Sequence, residues 1–274
     1  MSLTSLMVYV NAYEAESERI GLAGALADRF DAALIGLSAM AVRPPAVVDD
    51  VGGVDGMLML SEIEDIKAKL AERGSWFRSV AASDRRRLEW RQAVDLPIDA
   101  LARECRSADL VAIGQEAGRD MYSTLNPSGA ILKVGRPTLV VPPKIKSLSA
   151  ERVVVGWKDT REARRAVHDA LPLLRKAACV LVVEICEPSE KRAAEEEVRD
   201  VVHYLDRHQV RADSRLLPLE EESGAKQLVR AAQDEGADLL VAGAYGHSRL
   251  GEWVFGGITQ ELLTAAPICC LFSH

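Results

Sequence analysis

The sequence predicts an α/β protein made of two copied domains, each an open, parallel, five-stranded sheet with helices on both faces. "ARECRSADLVAIG" at 102–114 and "RAAQDEGADLLVAG" at 230–243 both end a helical pattern with Ala-Asp-Leu and an apolar run closed by glycine. "GRPTLVVPP" at 135–143 recurs in the same way as "AAPICCLFS" at 265–273. Short apolar runs that alternate with helical patterns are typical of parallel strands buried on both faces. A repeat of this length indicates duplicated domains rather than a solenoid.

The two copies differ in length. "LMVYVNAYEAESERIGLAGALA" near the start resembles "RVVVGWKDTREARRAVHDALPLL" about 145 residues later, whereas the other repeats are offset by about 130. The first copy therefore carries roughly 15 extra residues, which we place at 41–56, a stretch rich in Pro, Gly and Asp and without periodicity. We expect a first domain over 1–145 and a second over 150–274, with the boundary in "PPKIKSLSAE".

In the second copy, strands and helices alternate throughout. The predicted strands are 152–157, 179–185, 210–218, 238–243 and 267–273, and the predicted helices are 161–175, 189–207, 223–235 and one from about 257. Asp159 or Thr160 is expected to cap the first of these helices, because both side chains accept a hydrogen bond from a free backbone N–H. In parallel sheets of this kind, ligands bind at the carboxyl ends of the strands where the winding reverses.

A glycine-rich loop lies between the fourth strand and the last helix of the second copy. The stretch "GAYGHSRLGEWVFGG" at 243–257 has five glycines in 15 residues. Gly256 and Gly257 permit a concave run of N–H donors at the positive end of the helix, and Gly243 and Gly246 let a ligand lie against the backbone. This pattern predicts a phosphate site. The alternative is that these glycines serve only turns and close helix–sheet packing.

These residues also carry a family resemblance. The spacing of three glycines looks like the G-2x-G-9x-G-(S/T) signature of the universal stress proteins: two residues separate Gly243 from Gly246, and nine separate Gly246 from Gly256. With the duplicated five-strand pattern, the chain resembles a tandem universal stress protein over nearly its whole length. The resemblance implies the strand order 3-2-1-4-5 in each domain and pairing through the last strands, which makes an intramolecular pseudo-dimer. It also implies ATP in the crevice between strands 1 and 4 in some members and no nucleotide in others.

The resemblance identifies nucleotide-binding residues, with departures. The Ser/Thr that usually follows the third glycine is Gly257 here, but Thr259, after Ile258, matches a hydroxyl that is common in the family. The family's nucleoside-binding Asp is replaced by Lys158, which cannot accept hydrogen bonds from a ribose. Lys158 can instead reach a phosphate as a point charge or pair with a nearby carboxylate. The strand end that holds adenine through its backbone in the family corresponds to Val183–Ile185.

The first copy departs further from the pattern. After "LVAIG" comes "QEAGRDMYSTLNPSGAILKVGRP", which has Gly114 and Gly118 but no GxxG, and only Ser128 and Gly129 near the helix start. We interpret its phosphate site as lost.

Composition and charge exclude several functions. With a net charge of −7 and no basic face, the chain is a poor candidate for binding nucleic acid or anionic membrane. It lacks a membrane-length apolar run and a signal-peptide pattern, so we expect a cytoplasmic protein. The histidines pair with no evident nucleophile, and no spacing is typical of a metal site. We therefore predict no catalytic residues, no metal site and at most weak ATP hydrolysis.

Two functions from different classes stay open. In the first, the second domain binds ATP or a related adenine nucleotide, with Mg²⁺ accompanying it, and so regulates an interface. In the second, the protein is a nucleotide-free scaffold in the stress response. Lys158, Gly257 and the degenerate first domain favour the scaffold, whereas the glycine spacing and Thr259 favour the nucleotide. Free helix faces leave room for a homodimer.

Overall fold

The computed structural model describes residues 2–14, 17–44, 54–83, 87–115, 120–246 and 257–274, without the side chains of 54–56. The strands are β1 (Ser5–Tyr9), β2 (Ala33–Met40), β3 (Leu88–Val94), β4 (Leu110–Gly114), β5 (Thr138–Val141), β6 (Arg152–Trp157), β7 (Cys179–Cys186), β8 (Ala212–Pro218), β9 (Leu239–Gly243) and β10 (Cys269–Ser273). The helices are α1 (Ser17–Phe30), α2 (Val54–Ala81), α3 (Pro97–Glu104), α4 (Pro127–Val134), α5 (Arg161–Leu174), α6 (Lys191–Arg207), α7 (Gly224–Asp234) and α8 (Gly257–Ala265).

The ten strands of the described residues form one sheet, in the order β3-β2-β1-β4-β5-β10-β9-β6-β7-β8. Neighbouring strands are parallel everywhere except at the centre, where β5 and β10 run antiparallel with Leu139 opposite Leu271. The prediction of an α/β fold with a mostly parallel sheet is therefore confirmed. Within each half the strands follow one another across the sheet as third, second, first, fourth and fifth along the chain, and the halves meet at β5 and β10.

Helices cover both faces of the sheet because its strands alternate apolar side chains between two cores. Along β6, Val153 and Val155 enter a core formed with α1, α2, α5 and α6. Val154 enters the other core, formed with α3, α4, α7 and α8. Successive side chains of a strand point to opposite faces, so a parallel strand that is buried on both sides needs an unbroken apolar run. The sequence "RVVVGW" supplies one.

In each half, an aspartate side chain accepts hydrogen bonds from the backbone segment that leads into the first strand. Asp109 Oδ2 accepts hydrogen bonds from the backbone N–H of Thr4 at 2.8 Å and of Ser5 at 3.0 Å. Asp238 Oδ2 accepts in the same way from Ser149 at 2.6 Å and from Ala150 at 3.1 Å. These carboxylates are the aspartates of the repeated Ala-Asp-Leu, which therefore has a structural role in both copies.

The element boundaries agree with the sequence to within about two residues in the second half. Thr160 is the N-cap of α5: its hydroxyl accepts from the backbone N–H of Ala163 at 3.1 Å. In the first half, α2 begins at Val54 and so takes in the last residues of the predicted extra segment 41–56. The part of that segment at 45–53, like Gly118, lies outside the described residues. Across the described ranges, no helix combines the length and the apolarity that crossing a membrane requires.

Candidate functional site

The candidate site lies at the carboxyl ends of β6 and β9, which are neighbours in the sheet. The two strands pair in parallel, with Gly156 opposite Ala242, so both chains leave the sheet at the same edge. From β6 the chain continues to β7 on one side, whereas β9 is followed by β10 on the other. The winding therefore reverses between β6 and β9, which is where ligands bind in open α/β sheets.

Gly243 ends β9 and lies directly against the first turn of α5. A Cβ atom added at Gly243 would come within 2.6 Å of the Glu162 carbonyl carbon and 2.9 Å of Ala163 Cα. Backbone atoms cannot move aside as a flexible side chain can. Glycine is therefore required at 243 by helix–sheet packing, which is the structural role that the sequence left open for it.

Gly246 lies over the N-terminus of α5. A Cβ atom there would meet Glu162 Oε2 at 3.1 Å and the hydroxyl of Thr160 at 3.3 Å. Glu162 is 2% exposed and forms an ion pair with Arg161. Burial raises the pKa of Glu162, but the bond from Arg161 and a backbone hydrogen bond outweigh it, and the pKa lies below its usual range. An ionised carboxylate thus lies beside Gly246.

The start of α8 is held to the end of β9. The Thr259 hydroxyl accepts a hydrogen bond from the backbone N–H of Tyr245 at 3.3 Å, and Thr259 is 5% exposed. Tyr245 has a left-handed φ of 57°, which turns the chain there. A Cβ atom added at Gly257 would have no neighbour within 4 Å among the described residues. Gly256 and the rest of the loop at 247–256 lie outside the described residues.

Ile258 connects α8 to the start of α7. Its Cδ1 atom lies 2.8 Å from where a Cβ on Gly224 would be, so glycine at that position makes room for the isoleucine. The side chain is nevertheless 45% exposed. Ile258 thus presents an apolar surface beside the start of α8.

Lys158, the residue after β6, forms ion pairs on the side of the site away from β9. Its Nζ atom lies 3.4 Å from Glu184 Oε1 on β7 and 3.3 Å from Glu190 Oε2 before α6. Burial lowers the pKa of Lys158, but the two carboxylates outweigh it, so the pKa is raised. Asp159, its neighbour in sequence, pairs with Arg164 instead. Of the two alternatives for Lys158, a phosphate contact or pairing with nearby carboxylates, the structure shows the pairing with carboxylates.

Glu184 is an ionisable group that the sequence analysis did not single out. It is 1% exposed, and burial together with nearby Glu197 raises its pKa to about 7 although Lys158 opposes the shift. The Lys158 side chain is 55% exposed, so solvent screens part of its charge. A signal was present in the sequence, since Glu184 is the one charged residue in the apolar run "CVLVVEIC".

Val183 lies within β7, between β6 and β8. Its side chain is 0% exposed and belongs to the core under α7 and α8. Its Cα atom is paired with Gly156 on one side and Arg215 on the other. The structure thus brings Gly243, Gly246, Thr259 and Ile258 together around the ends of β9 and α8, and it leaves Val183 inside the sheet.

The corresponding helix start in the first half is closed by its own chain. The Asn126 side chain caps α4 by accepting from the backbone N–H of Gly129 at 3.1 Å. Ser128 donates a hydrogen bond to Gln260 on α8 at 3.1 Å, so its hydroxyl is used between the two halves. Among all the residues that are described, no three His, Cys, Asp or Glu side chains are grouped closely enough to hold a metal ion.

Residues 149–273 match the model of the universal stress protein family. Solved structures extend the likeness of fold to the whole chain. A universal stress protein from Archaeoglobus fulgidus DSM 4304 is 12% identical, with a TM-score of 0.69 over 99% of this chain and 96% of that one. A protein of unknown function from Pseudomonas aeruginosa PAO1 is 13% identical, with a TM-score of 0.56 over 99% and 92% of the two chains.

A universal stress protein in complex with cAMP also resembles part of the chain. It is 20% identical and covers 52% of this chain and 98% of its own, with a TM-score of 0.35, which is too low to carry a ligand over. No curated protein matches the sequence. The likenesses at low identity therefore establish the fold of the whole chain, and the family match covers its second half.

Proposed function

Because residues 149–273 belong to the universal stress protein family, we propose that this chain is a nucleotide-responsive regulatory protein of the stress response. Its second domain, 150–274, binds ATP or a related adenine nucleotide through the 243–259 loop, and Mg²⁺ accompanies the phosphates. The first domain, 1–145, has lost its phosphate site. The two domains form an intramolecular pseudo-dimer across β5 and β10.

The observation that supports nucleotide binding is the difference between the N-termini of α4 and α8, which occupy equivalent positions in the two halves. The first N–H groups of a helix have no acceptor within it and carry the positive end of its dipole. In α4, the Asn126 side chain supplies an acceptor to one of them. At α8, the space around Gly257 is open within the described residues. An anion at α8 would supply the acceptors that Asn126 supplies at α4.

Side chains near α8 fit the rest of a nucleotide. Since the Thr259 hydroxyl accepts from Tyr245, its own hydrogen is available to donate to a phosphate oxygen. Ile258 offers a half-exposed apolar surface for a base. Lys158 would reach a phosphate only by leaving Glu184 or Glu190, so its part in this proposal is smaller than that of the loop.

A specific observation favours the alternative, a nucleotide-free scaffold. Gly243 is required by packing against α5, and an ionised Glu162 lies beside Gly246. A carboxylate so close to the loop repels a phosphate. In the scaffold, the glycines serve the turn alone and the surfaces of the helices contact partner proteins.

Isothermal titration with ATP and Mg²⁺ separates the two functions. We expect micromolar binding by the natural chain and its loss in Gly246→Val, because the new methyl groups would meet Thr160 and Glu162. Gly21→Val is the matched control, since a Cβ there has no described neighbour within 4 Å and Gly21 lies in the other half. Thermal melting must show that both variants are folded. If millimolar ATP produces no heat, the result contradicts nucleotide binding and supports the nucleotide-free scaffold.

A further inference from the structure

Lys158 belongs to a charged cluster that joins three elements of the second half. It follows β6, and its Nζ atom lies 3.4 Å from Glu184 Oε1 on β7 and 3.3 Å from Glu190 Oε2 before α6. The register of the two strands places Trp157, the residue before Lys158, opposite Glu184. A single ammonium group thus binds the end of β6 to the neighbouring strand and to the helix that follows it.

Glu184 is the least well compensated member of this cluster. Side chains of β7 alternate between the two faces of the sheet, so Glu184 points with Val182 toward α5 and α6. Glu184 is 1% exposed, and its Oε2 atom has no hydrogen-bond donor among the described residues. A buried carboxylate pays a desolvation cost that a single ion pair with a half-exposed lysine does not offset, so burial favours the neutral acid.

The charges that face Glu184 add to this preference. On the α6 side, Glu197 and Glu190 both repel a negative charge on Glu184, whereas Lys158 after β6 attracts it. On β8, the residue opposite Glu184 is the uncharged Leu216. Two carboxylates therefore face one ammonium group around Glu184.

Two further groups near the cluster leave this balance unchanged. Burial raises the pKa of the Cys186 thiol on the same strand, so the thiol is neutral at neutral pH. Arg164 of α5 is bound to Asp159, which limits its compensation of Glu197. Burial first and Glu197 second raise the pKa of Glu184 to about 7. Glu184 therefore exchanges its proton in the neutral range.

We propose that Glu184 is a protonation switch that controls the position of Lys158 and, through it, the affinity of the nucleotide site. While Glu184 is ionised, Lys158 is held on the β7 side of the strand ends. When Glu184 takes up a proton from solvent, Lys158 keeps only Glu190, which is 54% exposed and so a weak partner. Lys158 is then free to turn toward β9 and pair with a phosphate. This regulation rests on the proposed nucleotide binding, but the proton exchange and its coupling to Lys158 do not.

Carbon NMR tests the switch without any nucleotide. The Glu184 Cδ and Lys158 Cε signals should titrate with one shared midpoint near pH 7. Lys158→Met should raise the Glu184 midpoint by about one pH unit or more, and Glu197→Gln should lower it, because they remove opposite charges. Glu196→Gln is the matched control: Glu196 is exposed on α6 and pairs with Arg192 outside the cluster, so the midpoint should not move.

Isothermal titration with ATP and Mg²⁺ tests the regulation. With a Glu184 pKa of about 7, about one tenth of the chains are protonated at pH 8 and about nine tenths at pH 6. Apparent affinity falls with the fraction in the competent form. Glu184→Gln, which is neutral at every pH, should therefore bind ATP roughly tenfold more tightly than the natural chain at pH 8 and equally at pH 6. Comparing the two proteins at each pH cancels the titration of ATP itself.

Two variants keep the test decisive. Lys158→Met should lose the difference between pH 8 and pH 6 that the natural chain shows relative to Glu184→Gln. Glu197→Gln changes a partly exposed residue, so it should fold even if Glu184→Gln does not. Its lower Glu184 midpoint should weaken ATP binding at pH 8 relative to the natural chain. Thermal melting checks that each variant is folded.

The outcomes separate this switch from the proposed function. A Glu184 midpoint below about pH 5, or a Lys158 signal that does not follow Glu184, would overturn the switch whether or not ATP binds. ATP binding with the same affinity ratio of Glu184→Gln to the natural chain at pH 6 and pH 8 would support the nucleotide site and reject its regulation by Lys158. A shared midpoint near pH 7 without any ATP heat would support the coupling of Glu184 to Lys158 and overturn both nucleotide binding and its regulation.

Discussion

At the scale of single residues, the aspartate of the repeated Ala-Asp-Leu shows why a repeat was visible at all. In both halves its carboxylate accepts backbone N–H groups from the chain that enters the first strand. The bonded residues are 105 apart in the first half and 89 apart in the second. The difference of 16 matches the extra length that the repeat offsets indicated. The motif persists because those N–H groups need an acceptor.

Asp109→Ala should therefore destabilise the protein. It leaves the exposed N–H group of Thr4 and the partly buried N–H group of Ser5 without their acceptor. Loss of the acceptor for the buried group costs about 1–3 kcal/mol. Asp206→Ala, at an exposed position at the end of α6, is the control and should change the free energy of unfolding by less than about 0.5 kcal/mol. Urea titration followed by circular dichroism measures both. Equal effects of the two substitutions would contradict this role for Asp109.

The effect of Asp109→Ala should also depend on pH. Burial raises the pKa of Asp109, but the hydrogen bonds from Thr4 and Ser5 outweigh it, and the pKa is lowered in the folded state. A lowered folded pKa gives stability that is present above the unfolded pKa and is lost as pH falls through the folded one. The difference between the natural chain and the variant should therefore be largest near neutral pH and shrink below about pH 4.

Alanine substitutions at Gly243 and Gly257, both predicted site residues, should have different effects on the free energy of unfolding. The added Cβ at Gly243 would enter the backbone of α5, so Gly243→Ala should lower the free energy of unfolding by about 1–3 kcal/mol or more. A Cβ atom at Gly257 would meet no described residue within 4 Å, so Gly257→Ala should fold as well as the natural chain. Thermal melts of the two variants decide the matter. A stable Gly243→Ala would mean that α5 does not pack against this strand end as described.

At the scale of elements, the helix and strand boundaries of the second half could be predicted from the sequence because the patterns that indicate them are local. Apolar runs, the Thr160 cap and the glycine at the start of α8 indicate these boundaries without information from the rest of the fold. The site was less predictable because its contacts cross elements. The ion pair between Lys158 and Glu184 forms because β6 and β7 pair in the register that places Trp157 opposite Glu184. The spacing of residues along the chain does not determine the register between two strands.

The N-terminus of α8 permits a test that increases binding. Gly257 stands where the universal stress protein signature has Ser or Thr, and a Cβ atom there would meet none of the described residues within 4 Å. Gly257→Ser should place a hydroxyl beside the N–H groups of the first turn and tighten ATP binding roughly fivefold, since a typical net hydrogen bond is worth about 1 kcal/mol. Gly257→Ala adds the carbon without the hydroxyl and should bind as the natural chain does. Titration calorimetry on both variants tests this, and no gain from serine would place the phosphates away from α8.

At the scale of the whole molecule, the antiparallel pair β5 and β10 joins the two halves into one sheet. The apolar core on each face receives residues from both halves, so the joint is covered above and below. Polar contacts cross it as well: the Gln115 side chain donates to the Ala266 carbonyl at 2.9 Å. Separating the halves would therefore expose two strand edges and two apolar surfaces, and we expect them to unfold together.

Cys269 and Cys270 lie in β10 and report on this joint. All five cysteines are free thiols, and these two are each 1% exposed. Burial, with a smaller contribution from Asp238, raises the pKa of Cys269 to about 12, and burial also raises the pKa of Cys270. Because the thiolate is the reactive form, both thiols should be unreactive toward Ellman's reagent at pH 8 while β10 stays in the sheet.

The prediction is tested in a chain in which Cys105, Cys179 and Cys186 are replaced by Ala, so that only the β10 thiols react. Along a urea titration, we expect the two thiols to become reactive with the same midpoint as the loss of helical circular dichroism. The physical reason is that β10 is bordered by β5 of one half and β9 of the other, so neither half can release it alone. Labelling that is complete well below that midpoint, with the helical signal intact, would show that the halves separate before they unfold.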